Sequence, residues 1–272
     1  MFRFDETKTY RMPPHFGGND PAPPGMAVYN RDTTGLTFTC TTEADRLERF
    51  IPDCFELLRP DIVFGFGQLR EIDWLAGGHY NVVTADVPVR FVGERDRIEG
   101  NYNLVTWENR ATPILGGREE NGVPKVYAEI EDLHAWPAAY LGGPDYFTNA
   151  SYDGNTFVRM EMRDPRPVKG EEFAALRASM ASVNLFGWRY IPNVSGPGAA
   201  LSQPILYPQG FELGAAWKGT GAIEWIRLAP WQNPTQFHII NALADLPILG
   251  MGSVMLTKGT AVLKPSQGRV LE

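Results

Sequence analysis

The sequence predicts an α+β protein built on an antiparallel sheet or barrel. Three observations lead there. Many short segments alternate apolar with polar residues, or are rich in β-branched and aromatic side chains. Only three segments have the composition of helices, and they do not alternate with strands in a regular βαβ order. The chain has 272 residues, 43% hydrophobic and 21% charged, which suffices for a sizeable core.

Residues 1–27 include "MPPHFGGNDPAPPG", whose prolines and glycines suit neither a helix nor a central strand. This stretch reads as an extended arm leading into one domain over 28–272. In "GLTFTCTT", Leu36, Phe38 and Cys40 alternate with threonines, as in a half-buried strand. In "TTEADRLERFIP", Thr42 can cap a short helix, with Asp45 three residues on and Pro52 as a stop. Strands are then expected in "DIVFGFGQL", "HYNVVTADVPVRF", "YNLVTWEN", "KVYAEIEDL", "NTFVRMEMRD", "AIEWIRL" and "SVMLTKGTAVL". Two more helices are expected, one over 170–186 and one over 234–246, the second with Pro234 near its start.

Bulk charge excludes some functions. A net charge of −7 and a pI near 5.2, with no Lys/Arg run, leave no basic face for nucleic acid. The opening residues carry acids and no apolar stretch of the secretory kind. The longest apolar run, "HIINALADLPILGMGSVML", is broken by Asn241, Asp245 and Pro247, so no membrane span is expected. Two cysteines, Cys40 and Cys54, make no disulfide framework, and a reduced, cytoplasmic setting is the simplest reading. The four histidines are scattered without metal-ligand spacing, and the short Gly-x-Gly pieces lack the setting of a dinucleotide loop. No metal and no cofactor are expected.

Lysine is scarce. Of 25 basic residues only six are lysines, and Lys125 directly follows the Gly-x-Pro turn in "GREENGVPK" (117–125). A lysine amine is a nucleophile only when unprotonated, and burial in an apolar pocket favours that form. It can then add to a carbonyl and lose water to give an imine. The protonated imine accepts the electrons left when a bond beta to it breaks. From spacing alone, a solvated lysine after a turn remains the alternative.

"GREENGVPK" resembles the active-site segment of the acetoacetate decarboxylase superfamily. "YNRD" (29–32), "VPV" (87–89), "IPN" (191–193) and "LADLP" (243–247) resemble further landmarks of that family in the same order. The resemblance implies a closed antiparallel β-barrel with a few flanking helices, and a homo-oligomer. It implies that Lys125 forms the Schiff base, with Arg118 and Glu119 as the Gly-Arg-Glu pair and Arg31 lining the pocket. The sequence departs from the family's decarboxylases in three places. Val126 stands where a second lysine is common, and the two pocket glutamates fall at Gly67 and Val82. A gap would bring Glu71 into play instead. The apparent loss of both carboxylates favours aldolase, dehydratase or retro-aldol chemistry on small keto acids or enones over decarboxylation of acetoacetate. Tyr80 is then the proton-transfer candidate, with Glu119 as a further catalytic residue, Arg118 and Gln68 as substrate-binding ones, and Gln68 and His79 the weaker candidates. Arg31 has two readings: a fork for a substrate carboxylate, or a brace paired with Glu119. A non-catalytic barrel that binds an apolar ligand is the alternative from another class.

Overall fold

The computed structural model describes residues 2–272. The strands are β1 (Val28–Thr41), β2 (Phe55–Leu57), β3 (Asp61–Ile72), β4 (Gly78–Val92), β5 (Arg97–Glu108), β6 (Lys125–Tyr127), β7 (Glu129–Ile130) and β8 (His134–Ala135). They continue as β9 (Tyr146–Tyr152), β10 (Asn155–Pro167), β11 (Leu185–Pro192), β12 (Ala199–Leu206), β13 (Gln209–Trp225), β14 (Gly250–Leu263) and β15 (Arg269–Val270). The helices are α1 (Ala44–Glu48), α2 (Ala111–Asn121), α3 (Ala138–Leu141), α4 (Gly170–Met180) and α5 (Phe237–Ala244).

All fifteen strands join one sheet, whose main path runs β15-β12-β11-β5-β4-β3-β1-β14-β13-β10-β9-β7, with β2 paired to β4, β6 to β5 and β8 to β9 off it. The expected closed barrel is corrected here. The two ends of this path, β15 and β7, do not pair with each other, so hydrogen bonds leave the sheet open. Each end strand has only two residues and offers little ladder to close with. Nor is the sheet wholly antiparallel, because β5 pairs in parallel with both β6 and β11.

Alternation decides the two faces of the sheet. Leu36 and Phe38 on β1, Phe64 and Phe66 on β3, Val83 and Ala85 on β4, and Val105 and Trp107 on β5 all enter the main core. Helix α5 adds Ile240 and Leu243 to that core. On the other face, Phe173, Leu176 and Met180 of α4 pack against Leu213 and Ala216 of β13.

Two local expectations differ from what is observed. Thr42 does not cap α1: Glu43 holds the cap position without a side-chain bond, and the Thr42 hydroxyl is buried without a partner. The helix expected over 170–186 ends at Met180, because Asn184 is already tied to the sheet. Its carbonyl accepts from Asn101 N–H and its side chain donates to the Glu99 carbonyl. The N-terminal arm folds back through a bridge between Thr9 and Asn19, and Arg11 pairs with Glu120 on α2. Helix α2 itself was not expected. It contains Pro113, Gly116 and Gly117, and each mid-helix glycine costs about 1 kcal/mol relative to alanine.

Candidate active site

Helix α2 delivers Lys125 to the sheet. It ends at Gly122, whose φ of 61° is left-handed and suits glycine, and whose N–H donates to the Gly117 carbonyl. Lys125 N–H then donates to the Val123 carbonyl at 2.7 Å, closing a tight turn over Pro124. From there β6 runs parallel to β5, with Lys125 beside Thr106 and Tyr127 beside Glu108. Thr106 N–H donates to the Pro124 carbonyl and Ala128 N–H to the Glu108 carbonyl, both at 3.1 Å. Alternation therefore places Lys125, Thr106 and Glu108 on one face, and Val126 and Trp107 on the other.

The Lys125 side chain is 14% exposed. Its Nζ lies 2.7 Å from Glu108 Oε1 and donates to the Pro113 carbonyl at 3.1 Å. The expected apolar surroundings are thus replaced by a carboxylate and a carbonyl. Strand β5 and the first turn of α2, which flank the lysine, both present oxygen to it. Room for the side chain comes from Gly117, where a Cβ would stand 2.5 Å from Lys125 Cε and 2.8 Å from Nζ. Arg118 Nη1 donates to the Lys125 carbonyl at 2.8 Å, so it holds the lysine's backbone.

Glu108 is the residue that sequence reasoning missed. Its side chain is 2% exposed. Burial pushes its carboxyl up, and the Lys125 ammonium opposes that rise. Oε2 is buried and has no hydrogen-bond partner. Gly67 and Val82, the positions where the expected carboxylates were missing, are cross-strand partners, and Val82 pairs in turn with Glu108. A carboxylate therefore stands one strand further along the same row. The sequence held a partial signal, since Glu108 and Thr106 share the polar side of "LVTWE". Nothing in it said that this strand lies beside Lys125.

Tyr80 comes to the same neighbourhood. It is buried on β4, and its phenol is pushed well above its ordinary range, mainly by burial and further by the Glu108 charge. It is therefore a neutral hydroxyl. Trp74 lies against its ring, with centroids 6.3 Å apart.

The remaining expected residues lie elsewhere. Arg31 places Nε 2.7 Å and Nη2 2.9 Å from the two oxygens of Asp73, so its fork is occupied and its partner is not Glu119. Glu119 lines a groove between α2, the N-terminal arm and β11, with Tyr10, Arg11 and Arg189. Gln68 accepts from Leu133 N–H at 2.9 Å. Glu71 is exposed at a bulge with a φ of 50°, and His79 is exposed. Among the described residues, no three His, Cys, Asp or Glu side chains are grouped to hold a metal ion. No helix among them is long and apolar enough to cross a membrane.

The sequence model of the acetoacetate decarboxylase (ADC) family matches residues 11–263. The chain belongs to the acetoacetate decarboxylase family. It is 29% identical over 214 residues to the acetoacetate decarboxylase of Burkholderia mallei, covering 79% of this chain and 76% of that one. Among solved structures, that of the Legionella pneumophila acetoacetate decarboxylase superposes with a TM-score of 0.72 at 23% identity, over 94% of this chain and 91% of that one. The enduracididine biosynthesis enzyme MppR, complexed with pyruvate, superposes with a TM-score of 0.66 at 14% identity, over 97% of each chain. These two likenesses establish the acetoacetate decarboxylase fold.

Proposed function

We propose that the protein is a Schiff-base carbon–carbon lyase of small keto acids, with Lys125 as its nucleophile. The observation that carries this reading is the placement of Lys125. It is a largely buried lysine, in a family of decarboxylases, held at its backbone by Arg118 and given room by Gly117. The amine adds to the substrate carbonyl, and the resulting iminium takes up the electron pair of the bond broken beta to it.

Two leaving fragments fit this sink. An aldehyde leaves in aldol-type cleavage, where Tyr80 moves a proton on the departing or attacking oxygen. CO2 leaves in decarboxylation. The sequence favoured the first because both pocket carboxylates seemed to be lost. Glu108 removes that ground, and the Burkholderia mallei relative is an acetoacetate decarboxylase. Decarboxylation of a β-keto acid is therefore the second reading.

Borohydride trapping tests the lysine. The protein incubated with pyruvate or acetoacetate and then reduced should gain one adduct, mapped by peptide mass to Lys125. Lys125→Ala and Lys125→Arg should give none, because a guanidinium stays protonated and cannot form the imine. Lys218→Ala should trap normally. An adduct on another lysine overturns the assignment. The same preparations, assayed for CO2 from acetoacetate and for aldehyde turnover with pyruvate, decide between the two leaving fragments.

A further inference from the structure

Imine formation needs proton transfers that a lysine cannot perform alone. The ammonium must lose a proton before it attacks, and the hydroxyl of the carbinolamine must gain one before it leaves as water. Those steps require a group that touches Nζ and can carry a proton. The only side chain bonded to Lys125 Nζ among the described residues is Glu108, at 2.7 Å. The other bond runs to a backbone carbonyl, which cannot hold a proton.

Glu108 is more than a counter-ion by its geometry. A carboxylate buried to 2% exposure ordinarily satisfies both of its oxygens, yet only Oε1 is engaged and Oε2 is orphaned. The strand row Glu108–Val82–Gly67–Gly35 extends from it across the sheet. Val82 and Thr257 side chains lie over the two glycines of that row. Oε2 is thus the one buried oxygen of this carboxylate that no protein group holds.

We infer that Glu108 is the catalytic acid and base of this lysine site, transferring protons between Lys125 Nζ and the substrate oxygen. The inference rests on the Schiff-base reading of Lys125. In the first step, Glu108 takes a proton from the ammonium, leaving a neutral amine and a neutral carboxyl. The amine forms the C–N bond as the carbonyl π bond breaks, and a proton passes from nitrogen to oxygen to give the carbinolamine. Glu108 then protonates the hydroxyl, the C–O bond breaks, and water leaves. The products are the iminium and the Glu108 carboxylate, so charge and protons balance. Hydrolysis of the product imine runs the same steps in reverse. Burial, which holds the carboxyl above its ordinary range, suits a group that must be protonated for half of the cycle.

Glu108→Gln keeps size and hydrogen bonding but cannot carry the proton. Its single-turnover rate of borohydride-trapped adduct formation at pH 7 should fall about 10²-fold or more. Its pH profile should lose the limb that this carboxyl sets in the wild type. Glu108→Asp retains a proton carrier and withdraws it by one methylene, so it should keep that limb with an intermediate rate. Thermal melts of both variants report folding separately. If Glu108→Gln traps at the wild-type rate with an unchanged pH profile, Glu108 is a structural counter-ion and the inference fails while Lys125 stands. If the wild-type protein forms no adduct, both the lysine reading and this inference fail. If Glu108→Gln does not fold, the Glu108→Asp profile decides: a missing limb there overturns the inference.

Discussion

At the scale of single residues, the lysine was visible in the sequence and its partner was not. Lys125 stood out because lysines are few and because Gly122 and Pro124 stiffen the chain just before it. Glu108 reads in sequence as an ordinary polar residue at a strand end, since its meaning depends on a parallel pairing that no local pattern encodes. Gly117 gives a sharp test of the geometry. Gly117→Ala should still fold, because alanine favours the helix by about 1 kcal/mol and offsets part of the cost of moving Lys125 off the buried Glu108 carboxylate. It should nevertheless slow imine trapping, because its methyl group would displace the Lys125 side chain. Trapping at the wild-type rate would show that the lysine works from another rotamer. Tyr80→Phe should slow turnover about 10²–10⁴-fold while leaving trapping largely intact, since the phenol is assigned to the bond-breaking stage. Equal loss of both would place Tyr80 in imine formation instead.

Among the elements, β4 carries a second acid, half-buried against its neighbour β5. Asp86 follows a bulge in their pairing and accepts from Asn103 Nδ2 at 2.7 Å. Burial pushes its carboxyl up to about 6, against hydrogen bonds from Asn103 and Thr84 that lower it. The folded state therefore binds this proton more tightly than the unfolded chain does. Stability from Asp86 is full below about pH 4 and is lost as pH rises through about 6. Asp86→Asn should accordingly gain in melting temperature relative to wild type between pH 4 and pH 8. A difference that is constant across that range would refute the raised value. Elements were unequally legible in sequence. The long strands announced themselves through alternation, as in Leu36, Phe38 and Cys40. Helix α2 did not, because the glycine that makes room for Lys125 is also a poor helix former.

For the molecule as a whole, alternation revealed which side of each strand is apolar but not whether the sheet closes. Closure is a relation between the end strands, and here each has only two residues. Such short ends also blunt the tendency of open edges to recruit other chains. One glutamine ties the core to β6. Gln236 Oε1 accepts from Trp107 Nε1 at 2.8 Å, and its Nε2 donates to the Tyr127 carbonyl at 2.9 Å. Gln236→Leu would strand the Trp107 N–H in a fully buried site, at a cost of about 1–3 kcal/mol. Denaturant unfolding should register that loss. A variant as stable as wild type would mean that the ring finds another acceptor.

The path from Pro113 to Lys125 is a closed loop of contacts. The carbonyl at its start holds the amine at its end, and Arg118 midway grips the lysine's own carbonyl. Each residue added to or removed from a helix turns everything beyond it by about 100° and shifts it by about 1.5 Å. Between Pro113 and Lys125 the chain should therefore accept many exchanges of side chain and almost no change of length. Insertions and deletions in descendants of this gene should fall outside that interval, as though the thirteen positions were inherited as one unit of measure.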